Sequence, residues 1–114
     1  MVRINTMSTQ NSSLDFLLKI LDDMQASDIK VIDVRNQTSI TDYMIITTAR
    51  ATRHVKAVGE KLMEEMKKAG TPAMNSSGFE TGDWVLIDFG DYIVHVMTSE
   101  SRQFYNLEGL WEEH

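Results

Sequence analysis

The sequence predicts one α/β domain: a mixed five-stranded sheet flanked by helices, in the order α-β-β-α-β-β-β-α. Three observations carry that expectation. Two long stretches repeat their apolar residues at helical spacing, and a third helix follows the last strand. Four short runs are apolar and mostly β-branched, with a fifth, smaller one over residues 73–75. A helix separates the second strand from the third, which demands a crossover, whereas the last two strands are joined too tightly to be anything but antiparallel. A chain of 114 residues holds one core of this kind.

The first helix is expected over residues 13–26, with Leu14, Leu17, Leu18, Leu21 and Met24 on one face. Ser12 or Ser13 can cap it, and Asp15 suits its first turn. Residues 28–35 and 43–49 read as strands, the second apolar on both faces and so central. Residues 51–69 form the clearest helix. Its stripe is Val55, Val58, Leu62, Met66 and Ala69, Glu64–Lys68 is a favourable pair, and Gly70 then Pro72 end it. Strands 84–88 and 92–97 flank Phe89-Gly90-Asp91, a turn that glycine eases. Ser99 can cap a last helix over 100–111, with Phe104, Leu107, Leu110 and Trp111 toward the core. Residues 1–12 are polar and read as a flexible tail before a single domain over 13–114, and Met7 offers an alternative start.

Composition narrows the function. With no cysteine there are no disulfides, thiolate metal sites or cysteine nucleophiles. The net charge is −6, which disfavours a grip on nucleic-acid phosphates. It is uneven: residues 50–69 carry six basic and three acidic side chains, residues 70–114 one basic and eight acidic. The basic stretch is either a solvated helix face or one pole of a surface that orients a partner. No apolar run could span a membrane, and the N-terminus has no secretory pattern, so a cytoplasmic protein is expected.

Catalytic patterns are missing. His54, His95 and His114 have no metal-ligand spacing, so no metal or cofactor is expected, and His95 reads as a sheet histidine. Gly78 and Gly82 bracket a loop without the lysine of a phosphate cradle. No nucleophile elbow surrounds Ser39, Thr41, Ser76 or Ser77. Asp33, Asp88 and Asp91 are the strand-associated carboxylates that an enzyme would need. Two features stand out. Trp84, at a strand entrance, is either a core or rim tryptophan or a partner anchor. Ser39-Ile40-Thr41-Asp42-Tyr43 either shapes a turn or offers polar and aromatic contacts.

Several strings together resemble one family. They are Asp28 to Arg35, then S-I-T-D-Y-M-I-I from Ser39, Arg53-His54-Val55, Asp83 to Asp91 with Ile93 to Met97, and F-Y-x-L-E-x-L-W from Phe104 to Trp111. In order and spacing they are similar to the ribosomal silencing factor (Iojap-like) family from Leu14 to Trp111. One departure is Ser77-Gly78, where the family usually has Glu-Gly; Glu80 follows two residues later.

The resemblance implies a nucleotidyltransferase-like fold without catalytic motifs. It implies binding to the large ribosomal subunit through the ribosomal protein numbered fourteen on the intersubunit face. Subunit joining is then blocked and translation repressed. Relatives also assist large-subunit biogenesis and are often homodimers when free. The expected partner surface is Trp84, Val85 and Leu86, the loop at Phe79, and Asp42 with Tyr43. Arg53, His54, His95, Arg102 and Tyr105 are secondary candidates that alternatively tie helices to the sheet. No membrane and no sequence-specific nucleic-acid contact is expected.

Overall fold

Residues 12–112 are described by a computed structural model. The tail expected over residues 1–12 lies, apart from Ser12, outside them. The first helix, α1 (Ser12–Asp23), buries Leu14, Leu17, Ile20 and Leu21. It stops short of Ala26 because Gln25 turns left-handed at φ 64°. The Gln25 amide then donates to the Asp22 carbonyl (2.9 Å) and the Ala26 amide to that of Leu21 (3.0 Å), closing a Schellman turn. Ile20 is buried although the expected stripe lacks it, whereas Leu18 and Met24, the latter past the helix, are only partly buried against the same core.

Strand β1 (Ser27–Asp33) pairs antiparallel with β2 (Tyr43–Thr48), with a register shift between Ser27 and Lys30. Helix α2 (Thr52–Lys68) buries Val55, Val58, Gly59, Leu62 and Met66. Gly70, at φ 93°, closes it as expected, with the Thr71 amide on the Met66 carbonyl at 2.8 Å. On its wet face Lys68 reaches Glu64 (3.6 Å) and Glu65 (3.3 Å). Strand β3 is Asn75–Ser77, two residues later than expected. Its polar residues carry no strand signal, and its register is set by pairing with β4 (Trp84–Asp88). Strand β5 (Tyr92–Met97) follows the expected turn, where Gly90 sits at φ 93°.

The five strands form one mixed sheet in the order β1-β2-β5-β4-β3, with β2 and β5 parallel in its middle. Strand β3 is thus an edge, not a neighbour of β2. One side of the sheet, through Ile45, Val85, Ile87, Val94 and Val96, packs on α1 and α2. Each such fully buried aliphatic side chain contributes about 1.5–3 kcal/mol. The other side holds a smaller cluster of Ile32, Val34, Met44, Ile46 and Met97.

The expected last helix is two: α3 (Ser99–Tyr105) and α4 (Leu107–Glu112). Thr98, not Ser99, caps the first, accepting from the Ser101 amide at 3.3 Å. Asn106 breaks the run at φ 47°, ψ 53°, a region asparagine tolerates, and its Oδ1 accepts from the Gly109 amide at 3.3 Å. This bend turns Leu107 and Trp111 onto the smaller cluster and leaves Phe104 and Leu110 exposed, so two of the four expected core residues face water.

Candidate partner-binding face

Helix α4 packs Leu107 and Trp111 on the smaller cluster of the second sheet side, where Gln37 Nε2 donates to the Trp111 carbonyl at 2.9 Å. Over β5 and β4 the sheet is only partly covered. There Leu86, Asp88 and Ile93 are half-buried, whereas Val85 and Ile87, pointing the other way, are fully buried. Alternation along β4 produces this division.

Trp84, at the start of β4, packs against the edge of the smaller cluster beside these half-buried residues. Its Nε1–H donates to His95 Nδ1 at 3.0 Å. Its ring lies 4.6 Å from that of Tyr105, and Tyr105 meets Phe104 edge-on at 5.0 Å. Tyr105 is 50% exposed and Phe104 79% exposed. Together they form an aromatic ledge beside half-buried Leu86 and Ile93, the composition typical of interface anchors, with Asp88 at the far end of β4. Beneath it His95 is only 5% exposed, and burial pushes its pKa down to about 4. A neutral imidazole with Nδ1 accepting carries its proton on Nε2, and that buried nitrogen has no partner among the described residues.

The loop before β4 is held by Gly78. At φ 91°, it passes so close that a Cβ there would lie 1.9 Å from the Trp84 carbonyl oxygen. Any side chain would push the loop off the start of the strand.

The six expected contact residues do not form one patch. Trp84 and Leu86 share the open side. Val85 is 0% exposed in the main core and cannot meet a partner, which corrects that assignment. Phe79 packs on the helix side, its ring against Gly59 of α2 and Val85. Tyr43 also packs on the helix side, its ring 6.2 Å from Tyr92. It pairs with Tyr92 at one end of β5, while Trp84 pairs with Met97 at the other, about 17 Å along the strand. Asp42 is exposed at that far end. Phe104 and Ile93 also belong to the ledge and open face; the sequence places Phe104 on the core side of a helix and gives no sign of which side of β5 is uncovered at Ile93.

The secondary candidates divide. His54 ties α2 to the turn after α1, its Nε2–H on the Met24 carbonyl (2.8 Å) and its Nδ1 accepting from the Arg50 amide (3.0 Å). Arg102, 13% exposed, clamps the C-terminal helices to the sheet. It forks onto Glu108 at 3.0 and 2.9 Å and donates to the Asp28 carbonyl and Thr48 Oγ1 at 2.7 and 2.8 Å. Its guanidinium holds the Glu108 carboxyl below the usual range. Arg53 is exposed on α2. Tyr105 and His95 belong to the ledge.

Of the carboxylates an enzyme would need, Asp33 and Asp88 do not converge. Asp33 on β1 is forked by Arg35, which lowers its pKa to about 2. Asp88 on β4, three strand spacings or about 14 Å across the sheet, accepts from the Gly90 amide. Among the described residues no group of three or more His, Asp or Glu side chains could hold a metal ion. None of their helices is long and apolar enough to cross a membrane.

Comparison with known proteins agrees with this architecture. Residues 7–114 match the family model described as "Ribosomal silencing factor during starvation". The chain is 43% identical over 98 residues to the ribosomal silencing factor RsfS of Haemophilus influenzae, covering 86% of this chain and 96% of that protein. It is 35% identical over 101 residues to a Mus musculus protein named "Mitochondrial assembly of ribosomal large subunit protein 1", covering 86% of this chain and 44% of that one. A crystal structure of a Chromobacterium violaceum protein superimposes with a TM-score of 0.87 at 35% identity, over 90% of this chain and 85% of that one. One from Bacillus halodurans gives 0.81 at 29% identity, over 89% and 94%. Sequence motifs, family model and fold therefore coincide along nearly the whole described chain, which belongs to the ribosomal silencing factor family.

Proposed function

We propose that this chain represses translation by binding the intersubunit face of the large ribosomal subunit, through the ribosomal protein numbered fourteen, so that the small subunit cannot join. The observation that carries the reading is the partly covered sheet side with its aromatic ledge, Trp84, Tyr105 and Phe104, beside Leu86 and Ile93. A steric block needs no catalytic group. It needs occupancy, and a micromolar interface supplies it with about −8 kcal/mol. The acidic balance of residues 70–114 favours approach to a basic ribosomal protein over bare RNA. The protein acts in the cytoplasm, and a homodimer is its free state.

A second reading, a large-subunit assembly factor, is favoured by the name of the Mus musculus relative. A nucleotidyltransferase-like enzyme is disfavoured by the separated carboxylates. Purified subunits, mixed with and without the protein, test the proposal by sedimentation. The protein should lower the yield of joined ribosomes, and Trp84→Ala should restore it. Unimpaired joining at saturating protein refutes the silencing reading. Silencing retained by Trp84→Ala moves the contact elsewhere.

A further inference from the structure

Trp84 is the largest side chain at the boundary of the open face, yet its one polar atom points inward. The Nε1–H donates to His95 Nδ1 at 3.0 Å, and the rings lie 5.8 Å apart at 43°. Tyr105 flanks the same indole at 4.6 Å. His95 cannot move to suit: it is 5% exposed, on the central strand β5, between Leu86 of β4 and Ile46 of β2 in register. Tryptophan donates only, so one imidazole form satisfies this contact, the neutral ring with its lone pair on Nδ1 and its proton on Nε2. That form leaves Nε2–H buried without a partner among the described residues. Such a donor ordinarily costs stability, and an apolar residue of similar size would avoid it.

We infer that His95 is a positioning residue for partner recognition: it fixes the Trp84 indole by taking its N–H, so that the partner meets only the carbon surface of the ring. The inference rests on the partner-binding function proposed above and specifies the chemistry it uses. With Nε1–H engaged, Trp84 offers no hydrogen bond to a partner acceptor. What it offers is a rigid, flat, apolar surface with a negative ring face. This fits aliphatic side chains and the stems and cationic heads of lysine or arginine, the side chains in which a basic ribosomal protein is rich.

Three single variants and one double variant test this, each checked for folding by circular dichroism. His95→Leu removes the acceptor, and His95→Asn places an amide oxygen close to where Nδ1 stood. Trp84→Ala removes the ring. The Trp84 indole N–H is followed by nitrogen-15 NMR, assigned by its loss in Trp84→Ala, and affinity is measured with purified large ribosomal subunits. His95→Leu should expose the indole N–H to faster exchange and weaken binding about tenfold, the worth of one such hydrogen bond. His95→Asn should restore protection and bring affinity back to within about threefold. In a Trp84→Ala background, His95→Leu should cost nothing further. A protected indole in His95→Leu, or an equal loss of affinity with Trp84 already absent, overturns the inference. If the wild type does not bind subunits, the proposed function fails, and with it the role in recognition; the indole signal then decides the positioning alone.

Discussion

Lowering the pH from 7 toward 5 should destabilise this protein through His95. The folded ring is held to about 4, against 6.5 for an ordinary histidine, because burial disfavours its charged form. Between those values the unfolded chain binds a proton that the folded chain refuses. The stabilisation is therefore complete above about pH 6.5 and disappears as the pH falls toward 4. Integrated over the whole window it amounts to about 3 kcal/mol, and between pH 7 and pH 5 to about 2 kcal/mol. That is a large fraction of a small domain's stability. The assay is urea unfolding at the two pH values, for wild type and for His95→Asn. The variant keeps an acceptor for Trp84 but cannot titrate, while carboxylates and the other histidines contribute alike to both proteins. The wild type should lose about 2 kcal/mol more than the variant on acidification. Equal losses would refute the reasoning, as would a His95 ring signal that titrates near 6.5.

Three further outcomes follow from the same geometry. Gly78→Ala should destabilise by about 2 kcal/mol or more and shift the Trp84 fluorescence, because a Cβ at φ 91° would collide with the Trp84 carbonyl; thermal melts and emission spectra check this. Arg102→Met should cost about 2–3 kcal/mol by leaving Glu108 and the Asp28 carbonyl without their donor, and hydrogen exchange should rise across α4 more than across α2. Association with large subunits should slow as salt rises from 0.05 to 0.5 M, where the Debye length contracts to a few ångströms; stopped-flow rates independent of salt would remove charge steering from the account.

Much of the fold is written in local pattern. Helix α2 and strands β4 and β5 lie within one residue of their expected bounds, since a 3.6-residue stripe, a terminal Gly70 and a turn at Gly90 are local signals. The break at Asn106 is less visible. Phe104, Leu107, Leu110 and Trp111 do fit one continuous helical face, and docking of Leu107 and Trp111 against the smaller cluster accompanies a left-handed Asn106 in place of that continuation. Strand β3 is invisible for the opposite reason: an exposed Asn-Ser-Ser edge has no apolar alternation, and its strand character comes wholly from pairing with β4.

For the candidate site, the sequence by itself determined the family and singled out Trp84 as a candidate anchor, because both rest on residue identity and spacing. It also contained enough to separate Val85 from Trp84 and Leu86, since consecutive strand residues point to opposite sides. The tertiary structure alone decided which side is open. Trp-Val-Leu-Ile is apolar on both sides, so nothing local reveals that Val85 is fully covered in the main core while Leu86, on the other side, stays half-buried. It also decided that Tyr43 and Phe79 turn away from the Trp84 face, and that the Trp84 indole closes onto His95 instead of reaching outward. Strand order and helix placement are properties of the whole chain's packing, and no single segment encodes them.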